Sequence, residues 1–167
     1  PERSKAYDLG IEMGSRGTGL HFALTGFLRQ TQDLIVAPPP TYDNFNIGKA
    51  RAAGFEAELG AELTDRLRAQ AAYSYVQATN RTPGNVNFGR DLARRPRQTF
   101  TLNADWRTPL RDLTLGADLR VVSHSYDDAA NSVRLGSHAL VTLRASLPVS
   151  EAFELFGRIE NLTDKQY

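Results

Sequence analysis

Glu56 and Glu58 stand two residues apart, the spacing that puts two side chains on one face of a strand. Paired carboxylates do acid–base chemistry only where a site perturbs their pKa values. Without such a site they form a hydrated acidic wall, which is the plainer reading here. The three histidines, His21, His124 and His138, are not spaced as ligands of one metal ion. With no cysteine in the chain, thiolate metal sites, disulfides and cysteine nucleophiles are excluded, and no metal is expected. The run "GSRGTG" (14–19) has the glycines of a phosphate loop but lacks the Lys-Ser/Thr that grips phosphate. It reads as a tight turn, where glycine supplies positive φ. The run "RRPR" (94–97) is a basic cluster, but no aromatic residues interleave it. Twenty basic and nineteen acidic residues leave a net charge of +1, which argues against a nucleic-acid partner and for a solvated loop end. No nucleophile and base stand at a recognisable spacing and no cofactor motif is present, so neither an enzyme nor a cofactor is expected.

Two stretches have the composition of recognition surfaces. His124, Tyr126, Asp127 and Asp128 fall together in a polar segment, either a ligand contact or a plain loop tip. The segment "DLIVAPPPTYDNFNI" (33–47) combines three prolines, which favour extended polyproline, with Tyr42 and Phe45, whose rings are amphipathic contact surface.

Alternating strands must position these residues. From 111 to 123, "RDLTLGADLRVVS" places Leu113, Leu115, Ala117, Leu119 and Val121 on one face. Thr114, Gly116, Asp118 and Arg120 fall on the other, and a period of two defines a strand. The pattern recurs at 6–13, 20–29, 54–59, 67–75, 99–106, 138–147 and 153–160, giving eight strands with this one. Connections alternate too: short near 14–18, 60–66, 107–112 and 148–151, long near 31–49, 77–97 and 124–134. All eight prolines lie at the chain start, in connections or at strand boundaries, where a missing donor costs least.

The two faces differ in chemistry. One is Leu, Ala, Val and aromatic; the other carries Glu56, Glu58, Asp118, Arg120, Arg144, Glu154 and Arg158 as a mixed-charge lining. No apolar run approaches the roughly 20 residues of a transmembrane helix, and the mean hydropathy is −0.41. Alternating barrel strands average to such values, so hydropathy does not exclude a membrane barrel. Short turns at one end and long loops at the other match an antiparallel up-and-down transmembrane β-barrel, apolar out and polar in. Trp106 and Phe153 suit an aromatic girdle on the short-turn side, and Tyr75 and Phe100 the opposite one. Two other architectures compete: a self-contained eight-stranded structural or adhesion barrel, and a soluble β-domain with a dry apolar core. The stretch "GFEAELGAELTDRLRAQAAY" is ambiguous, because Phe55, Leu59, Leu63 and Leu67 recur every four residues as on an amphipathic helix.

Four motifs resemble one family in its order and spacing. The closing "RIENLTDKQY" is similar to the Asn-Leu-Phe-Asp-Lys-x-Tyr signature near the C-terminus of TonB-dependent outer-membrane receptors, with Thr163 in place of Phe. "FNIGKARAAGFEAEL" resembles the strand that follows a long loop in those receptors, and "PERSKAYDLGIEMG" the opening of a strand pair. "RDLARRPRQTFTLNADW" resembles a strand entry of the vitamin B12 receptor branch and its siderophore relatives. The resemblance favours a hairpin over a helix for the ambiguous stretch.

What the resemblance implies is an expectation. Residues 1–167 would be part of a receptor barrel of about 22 strands, the plug domain and remaining strands lying outside the chain. Pro1 is read as no native start, and Tyr167 as a cut within a longer barrel. The location would be the outer membrane of a Gram-negative bacterium. The ligand would be scarce and large, cobalamin or a ferric siderophore, with energy from the TonB complex acting through the plug. Ligand-contact candidates in the extracellular loops are then Tyr42, Asp43, Asn44, Phe45, His124, Tyr126, Asp127 and Asp128, with ordinary loop packing as the alternative. The charged lining would face the lumen or plug, and the 94–97 cluster would meet lipopolysaccharide or ligand carboxylates.

Overall fold

The computed structural model describes residues 1–15, 18–36 and 45–166. They form strands β1 (Arg3–Ser15), β2 (Thr18–Val36), β3 (Phe45–Thr64), β4 (Leu67–Asn80), β5 (Gln98–Arg107) and β6 (Thr114–Val122). A two-residue pair follows, β7 (Ser125–Tyr126) and β8 (Arg134–Leu135), then β9 (His138–Ser150) and β10 (Phe153–Ile159). Eight strands make one antiparallel meander in the order β1-β2-β3-β4-β5-β6-β9-β10, and β7 and β8 pair separately. Among the described residues β1 and β10 do not pair with each other, so the eight strands do not close on themselves. That removes the self-contained eight-stranded barrel.

Register carries the alternation across the whole sheet. Residues directly opposite one another share a face, so Leu20, Ala61, Ala69, Ala104, Ala117, Leu143 and Ile159 form one apolar row. One position along, His21, Gly60, Gln70, Asn103, Asp118 and Thr142 form a polar row. A slip of one residue at any strand would mix the rows, which is why two faces of unlike chemistry fix the register.

The apolar face has no dry core behind it. Among the described residues no large side chain is fully buried, and the buried hydrophobic residues are Ala50 and Val122. Leu9 is 84% exposed and Leu115 40% exposed, while His21 on the polar face is 6% exposed. A soluble β-domain would bury those leucines first. The exposure of the apolar face matches a membrane barrel wall, and the soluble alternative falls with it.

Several boundaries differ from the sequence reading. β2 runs on to Val36 and β3 starts at Phe45, so most of the long 31–49 connection is strand. Ladder pairing with a neighbour carries the backbone through Gln32, Leu34 and Ile35 despite register shifts there. The ambiguous Ala- and Glu-rich stretch is the β3–β4 hairpin, turned at Asp65 and Arg66. Pro148 lies inside β9 rather than in a connection, beside the register shift at Phe153 and Glu154, where a missing donor is tolerated. At the C-terminal motif Asn161 closes a turn on itself: Lys165 N donates to Asn161 Oδ1 at 2.9 Å and Asn161 Nδ2 to Lys165 O at 3.1 Å. Leu162 N then donates to Val141 O on β9, at 2.9 Å.

Candidate functional site: a braced loop cluster above a charged wall

The long connections gather at one end of the sheet. The 81–97 connection is organised from within by turns. Asn87 N donates to Asn85 Oδ1 at 2.8 Å, Gly89 N to Asn80 O at 2.8 Å and Leu92 N to Ala78 O at 2.9 Å. Arg97 binds Asp91 through two hydrogen bonds, 3.0 and 2.9 Å, and that pairing holds the guanidinium above its already high pKa. The start of β3 is clipped to the same connection. Lys49 N donates to Thr82 Oγ1 at 2.8 Å and Arg81 N to Lys49 O at 2.8 Å. Gly48 sits at φ +81°, and a Cβ there would meet Thr82 at 2.9 Å, so the clip needs glycine.

The connection between β6 and β9 is braced in turn. Asp128 accepts hydrogen bonds from Val133 N (2.8 Å), Ser132 Oγ (2.8 Å) and Ser132 N (2.9 Å). These donors, Val133 N foremost, hold its carboxyl below the usual carboxylate range. Arg94 N donates to Tyr126 O at 2.6 Å, and Arg94 Nε to Asp127 Oδ1 at 2.6 Å. His124 and Tyr126 meet edge-to-face with ring centroids 6.0 Å apart.

The structure therefore brings His124, Tyr126, Asp127 and Asp128 together, with the two carboxylates already engaged by the protein. The basic 94–97 cluster is not a free cation patch, since Arg94 and Arg97 each hold an aspartate. Tyr42, Asp43 and Asn44 lie outside the described residues, and Phe45 opens β3. Sequence reasoning missed Asp91 and Asn131. Their roles rest on contacts forty residues apart, Asp91 N to Asn131 Oδ1 at 2.9 Å and Asn131 Nδ2 to Asp91 O at 3.0 Å, which no local pattern marks.

On the polar wall Arg144 binds Asp118 by two hydrogen bonds and Asp105 at 3.0 Å, while Asn103 Nδ2 donates to Asp118 at 2.7 Å. Gly116 makes room for this cluster, because a Cβ there would lie 2.7 Å from Asp105 Oδ1. Arg158 pairs with Glu160, and Glu154 accepts a hydrogen bond from Ser146. Glu56, Glu58 and Arg120 are exposed on the same face. His21 Nε2 lies 3.0 Å from Glu12 Oε1. The polar faces of the strands hold Asp105, Glu12 and His21 in sequence, but the pairing of Asp105 with Arg144 and of His21 with Glu12 was not expected. The register rows that join them to Arg144 and Gln70 were the signal that would have found them.

A strand meander with an exposed apolar face, a charged opposite face, short turns at one end and braced loops at the other defines a segment of an outer-membrane-type barrel wall. A family model described as TonB dependent receptor-like, beta-barrel, matches residues 1–162. The chain belongs to that family. The vitamin B12 transporter BtuB of Photobacterium profundum is 29% identical over 176 residues, an alignment covering 100% of this chain and 27% of that protein. The ferric yersiniabactin uptake receptor FyuA of Yersinia pestis superposes with a TM-score of 0.84 at 19% identity, covering 98% of this chain and 25% of the receptor. The siderophore receptor PiuA of Acinetobacter baumannii gives 0.80 at 24% identity, covering 97% of this chain and 24% of that one. The chain thus spans about a quarter of the length of these relatives. They are transporters and receptors, not enzymes.

Proposed function

We propose that this chain is the wall and part of the outer loop cluster of a receptor that imports a scarce, large ligand across a Gram-negative outer membrane. The observation that carries this reading is the family match over residues 1–162. The ligand is cobalamin or a ferric siderophore, the classes that the names of the similar proteins mention. Energy comes from the TonB complex through a plug domain outside residues 1–167. Ligand meets the long-loop end, with Tyr42, Asp43, Asn44, Phe45, His124 and Tyr126 as contacts. Asp127 and Asp128 act there by shaping the loop, since their carboxylates are occupied. Glu56, Glu58, Asp118, Arg120, Arg144, Glu154 and Arg158 line the lumen and face the plug. Trp106 and Phe153, 47% and 59% exposed, sit at the short-turn interface with lipid. Lipopolysaccharide surrounds the loop end.

The test is direct binding to the intact receptor of two probes, cyanocobalamin and a ferric catecholate siderophore. Tyr126→Ala and His124→Ala should weaken the probe that binds by roughly tenfold, as loss of an aromatic anchor does. Binding of neither probe, or unaltered affinity in both variants, overturns the reading.

A further inference from the structure

Two long connections, 81–97 and 123–137, meet at the loop end through one backbone hydrogen bond and several side-chain ones rather than by sheet pairing. From the first, Arg94 reaches Tyr126 O through its backbone and Asp127 through its guanidinium. Arg90 donates to Ala130 O. From the second, Asn131 satisfies both the N–H and the C=O of Asp91. Asp91 is itself anchored to β4 by its bridge with Thr79, and to the base of β5 through Arg97.

The backbone supports the same picture. Arg94 has φ +55°, which costs an arginine energy, and Asn131 has φ +54°, a left-handed conformation that asparagine tolerates better than other side-chain-bearing residues. Both lie where the loops touch, and both make cross-loop hydrogen bonds. Strain of this kind persists only where surrounding contacts over-determine it. Asn131 also donates to Asp128 O, tying the cross-loop contact to the turn that Asp128 organises.

We propose that these two connections move as one rigid body locked at Arg94 and Asn131, and that the lock presents Tyr126 as a preformed contact face. Asn131 is on this view a positioning residue that acts on Tyr126 through Asp91 and Arg94. It holds Asp91, which fixes the segment whose Arg94 grips Tyr126 O and Asp127. The ligand side of this inference rests on the loop-end reading given above, whereas the lock does not.

The experiment is hydrogen–deuterium exchange on the intact receptor carrying Asn131→Gly. Glycine keeps the positive φ without strain and deletes both side-chain bonds to Asp91. The informative amides are Leu92 and Arg94, whose acceptors, Ala78 O and Tyr126 O, the substitution leaves in place. Their exchange should rise about fivefold or more, the lower end of ordinary coupling between sites. Asp127→Asn, which weakens the Arg94 contact without deleting a backbone bond, should raise exchange at Arg94 and at Val133. With the probe that binds the parent receptor, Asn131→Gly should speed dissociation more than it slows association, as loss of preorganisation does. Exchange confined to Asp91 and residues 128–133, or an unchanged dissociation rate, overturns the proposal. If neither probe binds the parent receptor, the loop-end reading has failed, and the exchange result alone decides the lock.

Discussion

Arg144 on β9 holds Asp118 on β6 in a two-point grip, Nε to Oδ2 at 2.8 Å and Nη2 to Oδ1 at 3.0 Å, and the same Nη2 lies 3.0 Å from Asp105 on β5. One guanidinium thus ties three strands across the polar face and offsets two carboxylates. The side chains are 38%, 27% and 46% exposed, so solvent screens the pair and the coupling is modest. In a double-mutant cycle with Arg144→Leu and Asp118→Asn, the coupling energy should be about 1 kcal/mol. The single Arg144→Leu change should cost more than that coupling, because it leaves Asp105 and Asp118 without their shared cation. Urea titration of the barrel in lipid vesicles measures both, and a coupling near zero would remove the network from the account of this wall.

Gly54 faces the backbone of β4 so closely that a Cβ would lie 1.9 Å from Tyr75 O. Nothing flexible is there to move. Gly54→Ala should therefore break the local ladder between β3 and β4 and destabilise the barrel by about 3 kcal/mol or more, in the range of severe steric substitutions. Gly136, with open space around its Cβ position, is the control, and Gly136→Ala should leave folding unchanged. The fraction running as folded barrel on unheated gels separates the two outcomes.

The sheet was legible because its signal is local and repeated. Leu113 to Val121 alternate within nine residues, and every neighbouring strand repeats the contrast, so strand, face and register follow from one rule. The extension of β2 to Val36 was hidden because Gln32 and Asp33 read as loop: Asp33 is a bulge at φ +57°, and ladder pairing with β3 resumes beyond it at Leu34, Ile35 and Val36. The loop cluster was hidden for a different reason. Asn131 and Asp91 are forty residues apart, and short-range spacing carries no trace of their pairing. His124 and Asp128 were legible as a group, but not the inward use of the Asp128 carboxylate, which depends on a turn that residues 128–133 form only together.

The Asp128 turn should be sensitive to acid. Hydrogen bonds from Val133 N, Ser132 Oγ and Ser132 N favour its charged form and lower its pKa in the folded loop. A lowered carboxylate pKa gives stability that is complete above the unfolded value of about 3.9 and lost as pH falls through the lower folded value. The loop should thus keep its order at pH 5 to 7 and lose Val133 protection only in strong acid. Asp128→Asn should show reduced Val133 protection at every pH and no acid transition. A transition retained by the asparagine variant would assign it to another group.

Leu119 and Arg120 are neighbours in β6 that point to opposite faces, and they make the strongest internal test of which face meets lipid. Leu119 pairs with Leu102 and Val141 in the apolar rows, while Arg120 pairs with Thr101 and Leu140 on the other side. Near the middle of a lipid-facing strand an arginine costs about 2–4 kcal/mol, and on a lumen wall far less. Leu119→Arg should therefore destabilise the barrel in vesicles by that amount, while the isosteric swap Leu119→Met should cost under about 1.5 kcal/mol. Arg120→Leu should change stability little, since a lumen position accepts either side chain. Equal costs for Leu119→Arg and for an arginine placed at Thr101 on the polar face would mean that the faces are not divided between lipid and water. The exposure of Leu9, Leu115 and Leu143 would then need a protein partner rather than a membrane to cover it.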